Sequence, residues 1–462
     1  MATLEPVLQS LDSNFDKSLE RLFELLRLKS VSTDMAYAPE CRKAAEWLVA
    51  DLNSIGFDAS VRDTPGHPMV VAHHEGPEGS PHVLFYGHYD VQPIDPLNLW
   101  DRDPFDPAID TIEDGIKVIR ARGSSDDKGQ IMTFVEACRA YKAANGSLPC
   151  HVTILFEGEE ESGSPSLKPF LEAHKDELKA DFALVCDTGM WDRETPAISV
   201  GLRGILGVEL TIHAANRDLH SGSYGGAAAN PIRVLSKILA DIHDESGRVT
   251  IPGFYDGVEE TPTQILESWK SLGVTSEKFL GPIGLSELSG EKDRSILELV
   301  WARPTAEFNG ITGGYTGEGF KTVIAAQASA KVSFRLVHKQ DPAKIRAAFE
   351  AFVEERLPAD CRAEWGKDHG GSPAIQLSYD APYLSKAQTA LSDEWPKPAV
   401  MIAMGGSIPI VGDFQTYLGM ESLLVGFGLD DDRIHSPNEK YDVESFRKGQ
   451  RSWARILDAL AK

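Results

Sequence analysis

The sequence predicts an α/β protein, an open sheet flanked by helices and interrupted by a smaller two-layer domain of sheet and helix. Three observations predict it. At 462 residues the chain exceeds what one ordinary core organises, so two domains are expected. Between Val83 and Asp187 one unit repeats: an apolar strand, then acidic or imidazole side chains at its end, then a helix. In open α/β sheets sites form at the C-terminal ends of strands, so residues distant in sequence converge there. The texture then changes at Gly204 and reverts near Tyr379, which places the first domain in residues 1–203 and 380–462 and the insertion in 204–379.

Taken in order, Met1 to Lys29 carries Leu4, Val7, Leu8, Leu11, Phe15, Leu19, Leu22 and Leu26 at helical spacing, which predicts one amphipathic helix packed on a domain. A second helix, Pro39 to Ile55, stops at Gly56-Phe57 and is followed by a short strand and the turn Asp63 to Pro68. Met69 to His74 and Val83 to Tyr86 read as neighbouring strands, and Asp90 opens a long polar loop. The helix of Ile131, Phe134, Val135, Cys138 and Tyr141 leads to strand Val152 to Phe156, a helix of Leu167, Phe170, Leu171 and Leu178, and strand Phe182 to Cys186. In the insertion, strand Val208 to Ile212 and a helix from Ile232 to Ile242 precede a polar excursion through Glu298. An alternating strand Ala328 to Val337, a helix opened by Asp341-Pro342 and a strand near Ile375 to Leu377 complete it. Strands Val400 to Met404 and Ser422 to Gly426 and a final helix from Val443 to Leu460 return to the larger domain, and no internal repeat is visible.

The formal charge is -24, with 46 basic against 70 acidic residues, which disfavours nucleic acid or an anionic membrane as partner. The N-terminus has no continuous apolar run to serve as a signal peptide, and no later stretch approaches the roughly 20 apolar residues of a membrane span. Cys41, Cys138, Cys150, Cys186 and Cys361 form no CxxC pair, and an odd, dispersed set predicts reduced thiols and a cytosolic location.

The chemistry gathers at strand and loop ends. Along an extended chain His88 and Asp90 point the same way, one able to bind a metal and the other able to hold it in place. Asp126-Asp127 stands at a loop-to-helix junction, Glu160-Glu161 and Asp187 follow strands, and His435 lies in a loop after a strand. Two imidazoles and four carboxylates suit two divalent cations held close together: zinc first, by the mixed N and O donors without cysteine, with manganese or cobalt as alternatives. A shared aspartate bridges two cations and reduces their repulsion, while a carboxylate that is not a ligand serves as general base; Glu160 beside Glu161 offers one residue for each task.

The stretches Gly87-His88-Tyr89-Asp90, Gly123 to Gly129, Glu160-Glu161-Ser162-Gly163, Asp187, Leu219-His220-Ser221-Gly222 and His435 to Glu439 together resemble the co-catalytic dizinc metallopeptidase family. That family includes aminoacylase, acetylornithine deacetylase, succinyl-diaminopimelate desuccinylase, glutamate carboxypeptidase and carnosine dipeptidase. The resemblance spans almost the whole chain and is nearest to the cytosolic dipeptidase branch. It implies a mixed-sheet zinc-peptidase catalytic domain with an inserted α+β lid and dimerisation domain. It also implies one metal on His88, Asp126 and Asp187, a second on Asp126, Glu161 and His435, and Asp126 as the bridge. Glu160 becomes the general base and later acid, Asp90 the partner that fixes the His88 tautomer, and Asp126-Asp127 a cis peptide. By the same resemblance His220 reaches a neighbouring subunit's site in a homodimer to polarise the scissile carbonyl, and Arg335 binds the substrate's terminal carboxylate. The loop of Gly406 and Ser407 assists Arg335, and Asn309 lines the pocket. A structural ion pair for Arg335 and a plain turn role for Asn309 are the alternatives. Two positions depart from the family: Ala325 and His338 stand where proline is common.

The expected activity is metal-dependent hydrolysis of the peptide bond in dipeptides or short peptides with a free C-terminal carboxylate, by a water held at the dimetal site. The alternatives are an N-acyl-amino-acid deacylase of the same mechanism and a catalytically silent homologue that binds metal or peptide. The silent reading is opposed by the presence of Glu160 and every ligand.

Overall fold

The computed structural model describes residues 3–366, 371–379, 381–405 and 409–462. The chain divides into two compact units: Met1–Val200 with Leu377–Ile402 and Asp413–Lys462, and Gly201–Gln376 with Ala403–Gly412.

The first unit is built on a mixed sheet. Its strands lie in the order Asp58–Arg62, Met69–His74, His151–Glu157, His82–His88, Phe182–Val185, Ser422–Leu424 and Ala197–Leu202. The four from His151–Glu157 to Ser422–Leu424 are parallel, and the outer ones are antiparallel to their neighbours. Parallel strands are buried on both faces, which is why Val83-Leu84-Phe85-Tyr86 reads as a continuous apolar run and is wholly buried. Phe85 stacks on Phe134 of helix Lys128–Asn145 at 3.7 Å between ring centres, and Trp453 of helix Val443–Leu460 meets both edge-on. Burial of each such ring stabilises the unit by about 1.5–3 kcal/mol. Because the central strands are parallel, the loops after His88, Glu157, Val185 and Leu424 all leave from one edge of the sheet.

Several expectations change here. The predicted N-terminal helix is two, Leu4–Ser13 and Phe15–Leu26, broken where the Asn14 side chain donates to the Ser10 carbonyl and competes with the helix backbone. Met69–His74 and His82–His88 are not neighbours: His151–Glu157 lies between them, pairing with both. The helix expected from Leu167 to Leu178 is interrupted at His174. The long polar loop after Asp90 contains a hairpin, Ala108–Thr111 with Lys117–Arg120, which Lys440–Asp442 extends to three strands.

The second unit carries an antiparallel sheet in the order Thr305–Gly313, Gln327–Leu336, Gly204–His213 and Arg362–Trp365, with Gly371–Ser372 also on Gly204–His213. Strict alternation of burial along Gly204–His213 marks a sheet covered on one face. Helices Pro231–Ala240 and Pro342–Glu354 supply the cover, with Val208, Leu210, Leu235, Phe334 and Phe349 in the core. Their starts are fixed by Asn230 and Asp341, whose side chains accept the first free N–H groups. The strand Ile375–Gln376 does not join this sheet; it pairs with Leu202 and Gly201 of the same unit. His338 has φ 50, a conformation closed to proline, so the departure at this position is one of backbone as well as side chain. Among the described residues no helix is long and apolar enough to cross a membrane.

Candidate metal centre

The first corner is set by Gly87. A Cβ there would lie 2.3 Å from Ile131 and 2.6 Å from the Asp127 carboxylate, so only glycine lets helix Lys128–Asn145 and its preceding loop approach the strand. The approach lets Asp127 accept the His88 backbone N–H at 3.1 Å and brings Asp126, at the same loop end, to the His88 ring. The Asp126-Asp127 peptide is cis, as the resemblance implies.

His88 is completely buried. Its Nε2 lies 3.1 Å from Asp126 Oδ1 and 4.0 Å from Asp187 Oδ2, while Nδ1 faces the Asp90 carbonyl at 3.1 Å and the Asp90 carboxylate at 3.4 Å. On the other side of Asp126, His435 Nε2 lies 2.9 Å from Asp126 Oδ2 and 3.2 Å from Glu161 Oε2. The candidate donors thus form two groups, His88, Asp126 and Asp187, and Asp126, Glu161 and His435. Within each group the ligand atoms lie within 4.8 Å of one another, and each group uses a different oxygen of Asp126.

Neighbouring side chains hold these donors. Asp90 serves three partners: besides the His88 ring it accepts the backbone N–H groups of Glu160 (3.3 Å) and Glu161 (3.0 Å). Gln92 donates to Glu161 Oε2 at 2.6 Å. Glu439, fully buried, accepts from the backbone of Gly123 (3.0 Å), Ser125 (2.9 Å) and Asp126 (3.1 Å), and from Arg122 at 2.7 Å. His435 itself sits at φ 62, between Arg433 at φ 57 and Asn438 at φ 63. Three left-handed residues other than glycine in one short loop cost on the order of 1 kcal/mol each, strain that functional loops characteristically retain.

The electrostatics call for positive charge. Hydrogen bonds to Asp126 and Glu161 push the His435 imidazolium up to about 10. Burial disfavours charge on His88, yet Asp126 and Asp90 outweigh it and raise its pKa. Burial would raise Asp126, but the two imidazoliums hold it below the usual carboxylate range. Asp187 is pushed up to about 7 by burial and the charge of Asp126, and Glu160 is raised by burial and by Glu161. Protons on the histidines here occupy the place of cations. Glu161 Oε1 is buried with no hydrogen-bond partner among the described residues, an acceptor turned toward no protein donor. Nitrogen and oxygen donors around an unpaired carboxylate oxygen fit divalent cations.

Glu160 is half-buried, and its carboxylate makes no hydrogen bond among the described residues, which leaves it free to exchange a proton. In the second unit, His220 is exposed and its Nδ1 accepts the Gly222 N–H at 3.0 Å, so the neutral ring carries its proton on Nε2 and can donate there. Asn309 is the extra residue of a β-bulge, where the pairing shifts between Phe308 and Gly310. Arg335 pairs with Thr305 across the sheet and has no carboxylate within ion-pair distance among the described residues. Gly406 and Ser407 lie outside the described residues. The roles of Gln92 and Glu439 escape a reading of the sequence; the position of Glu439 at the end of the His435 motif was the available signal.

A model of peptidase family M20/M25/M40 matches residues 84–459. The Cys-Gly metallodipeptidase DUG1 of Candida albicans is 30% identical to this chain, over 96% of the chain and 95% of that protein. Among solved structures, human carnosine dipeptidase 1 has a TM-score of 0.74 at 26% identity, covering 100% of this chain and 99% of that one. The M20 family metallo-carboxypeptidase Sso-CP2 from Sulfolobus solfataricus has a TM-score of 0.76 at 31% identity, covering 96% and 99%.

Proposed function

The chain belongs to peptidase family M20/M25/M40, and from that premise we propose that it hydrolyses the peptide bond of dipeptides or short peptides bearing a free C-terminal carboxylate. The observation that carries the reading is the pair of donor groups that share Asp126 through its two oxygens. His88, Asp126 and Asp187 would hold one divalent cation and Asp126, Glu161 and His435 the other, with zinc favoured by the donor set. Cations held there supply Lewis acidity and acidify water. The relatives named as dipeptidases favour peptides over N-acyl amino acids as substrates.

The protein's own residues carry the proton traffic. The Glu160 carboxylate, unengaged by the protein, takes the proton of the attacking water and returns it to the leaving nitrogen, a contribution of about 100 to 10,000 fold. Asp90 fixes the other face of His88 and, through the Glu160 and Glu161 N–H groups, the loop that carries the base. His220 donates from Nε2 to the carbonyl oxygen as it gains charge, and Arg335 holds the terminal carboxylate. Asn309, aimed by its bulge, and the Gly406-Ser407 loop assist in binding.

A homodimer through the second unit is part of the proposal. Its edge strand Thr305–Gly313 exposes Phe308 and Ile311, surface that an unpaired edge leaves ready for a second copy. Cytosolic residence is supported by the five cysteines, all free. The test is a panel of dipeptides against N-acetyl and N-succinyl amino acids on enzyme of defined metal content. Turnover of dipeptides is expected; hydrolysis confined to the acylated set would assign the deacylase activity instead.

A further inference from the structure

Beside the five-stranded sheet stands an arginine to which the sequence reading gave no binding role. Arg203 stands one residue before strand Gly204–His213, and Ile205, two residues on, pairs with Arg335. The two guanidiniums line one cavity of about 520 Å³, whose remaining wall includes the apolar side chains of Leu280, Leu299 and Val300. Among the described residues neither arginine forms an ion pair or donates a side-chain hydrogen bond. Arg203 Nε is buried without any acceptor. Burial, then the charge of Arg335, lowers the Arg203 guanidinium to about 10. A third arginine of the same wall shows the contrast: Arg303 is fully paired, its Nη2 2.9 Å from Glu291 Oε2. The fold therefore satisfies one arginine of this cavity and leaves two open.

The backbone beside Arg203 is shaped for this arrangement. The Arg203 N–H donates to the Met404 carbonyl at 3.3 Å, and a Cβ on Gly405 would stand only 3.1 Å from Arg203 Nη2. Glycine at 405 lets the main chain lie against the guanidinium. Glu287 and Glu307 stand on the same wall and, among the described residues, pair with neither arginine, so both guanidiniums keep their donors open. A planar carboxylate offers four lone-pair positions, enough for donors from two guanidiniums.

We propose that Arg203 and Arg335 form a two-guanidinium receptor for the substrate's C-terminal carboxylate, and that Arg203 makes the enzyme distinguish a free acid from its amide. The proposal rests on the role given to Arg335 above and adds to it a second binding residue. Ala-Ala and its C-terminal amide provide the test, with binding to the metal-free protein measured by calorimetry and turnover measured after metal loading. Wild-type protein should bind the acid at least about tenfold more tightly than the amide, as expected of charge-assisted hydrogen bonds. Arg203→Gln and Arg203→Ala should weaken the acid about tenfold while moving the amide less than about twofold, and Arg203→Lys should recover part of the difference. The inference is overturned if acid and amide weaken together, if the ratio is unchanged in both variants, or if the wild type does not prefer the acid. Acid-selective binding without peptide hydrolysis would instead refute the proposed reaction and leave the receptor standing.

Discussion

Replacing Glu439 by glutamine should loosen the metal centre without touching a proposed ligand. The carboxylate is fully buried and accepts three backbone N–H groups and the Arg122 guanidinium, itself only 1% exposed. Glutamine keeps the size but replaces one acceptor oxygen with a donor. If the amide nitrogen takes the place of Oε1, the N–H groups of Ser125 and Asp126 lose their acceptor; if it takes that of Oε2, Gly123 and Arg122 do. Either way two buried donors are stranded, at about 1–3 kcal/mol each and more where the guanidinium is one of them. The expected loss is about 3–5 kcal/mol, read by urea unfolding of the metal-free protein followed by tryptophan fluorescence. Because the same contacts fix the backbone of Asp126, cation affinity should fall about 10–100 fold. A variant within about 1 kcal/mol of wild type, with unchanged cation affinity, would refute the reasoning.

Glu160→Gln should retain both cations yet lose about 100 to 10,000 fold in kcat; near-normal turnover would remove Glu160 from the proton transfer. His220→Ala should be crippled, and mixing it with an inactive Asp126→Asn protein should restore activity if the site is shared between subunits. No recovery from demonstrated heterodimers would count against sharing. Cation affinity should weaken on acidification. In the metal-free chain hydrogen bonds to Asp126 and Glu161 push His435 up to about 10 and burial pushes Asp187 up to about 7, so a bound cation displaces their protons. Each displaced proton changes affinity about tenfold per pH unit, and titrations across about pH 6 to 8 that show no slope would contradict this. The same proton works oppositely on the metal-free fold: the stability it confers is complete below the ordinary histidine value of about 6.5 and is lost as pH rises through about 10.

Where one side chain's environment is local, the sequence was informative. The apolar run before His88 marked a strand buried on both faces, and its end marked the site, because parallel strands direct their following loops to one edge. Partners brought together by the sheet order were hidden. His151–Glu157 enters between Met69–His74 and His82–His88 because the crossover helix Lys128–Asn145 returns the chain beside the strand it left, and adjacency in sequence gave no hint of it. Glu439 holds a loop more than 300 residues away by accepting backbone N–H groups, and no side-chain pattern in that loop announces an acceptor. The hairpin Ala108–Thr111 with Lys117–Arg120 has only a faint sequence signal. Asp114-Gly115 at its tip, with φ 62 and φ 77, is the turn pair that such hairpins favour, but the surrounding Pro and Asp obscured the short alternating strands. The binding role of Arg203 is hidden in the sequence because it depends on what the side chain lacks, an ion-pair partner among the described residues, and only the fold reveals that.

The central claim is that two groups of donors joined at Asp126 hold two cations on which hydrolysis depends. Metal content and dipeptide turnover measured together during stepwise reloading of chelated protein test it most directly. The account predicts two divalent cations bound per chain, no turnover before loading, and loss of both activity and bridged binding in Asp126→Asn. Full dipeptide turnover in protein stripped of metal, or saturation at a single cation with Asp126→Asn unaffected, would contradict it.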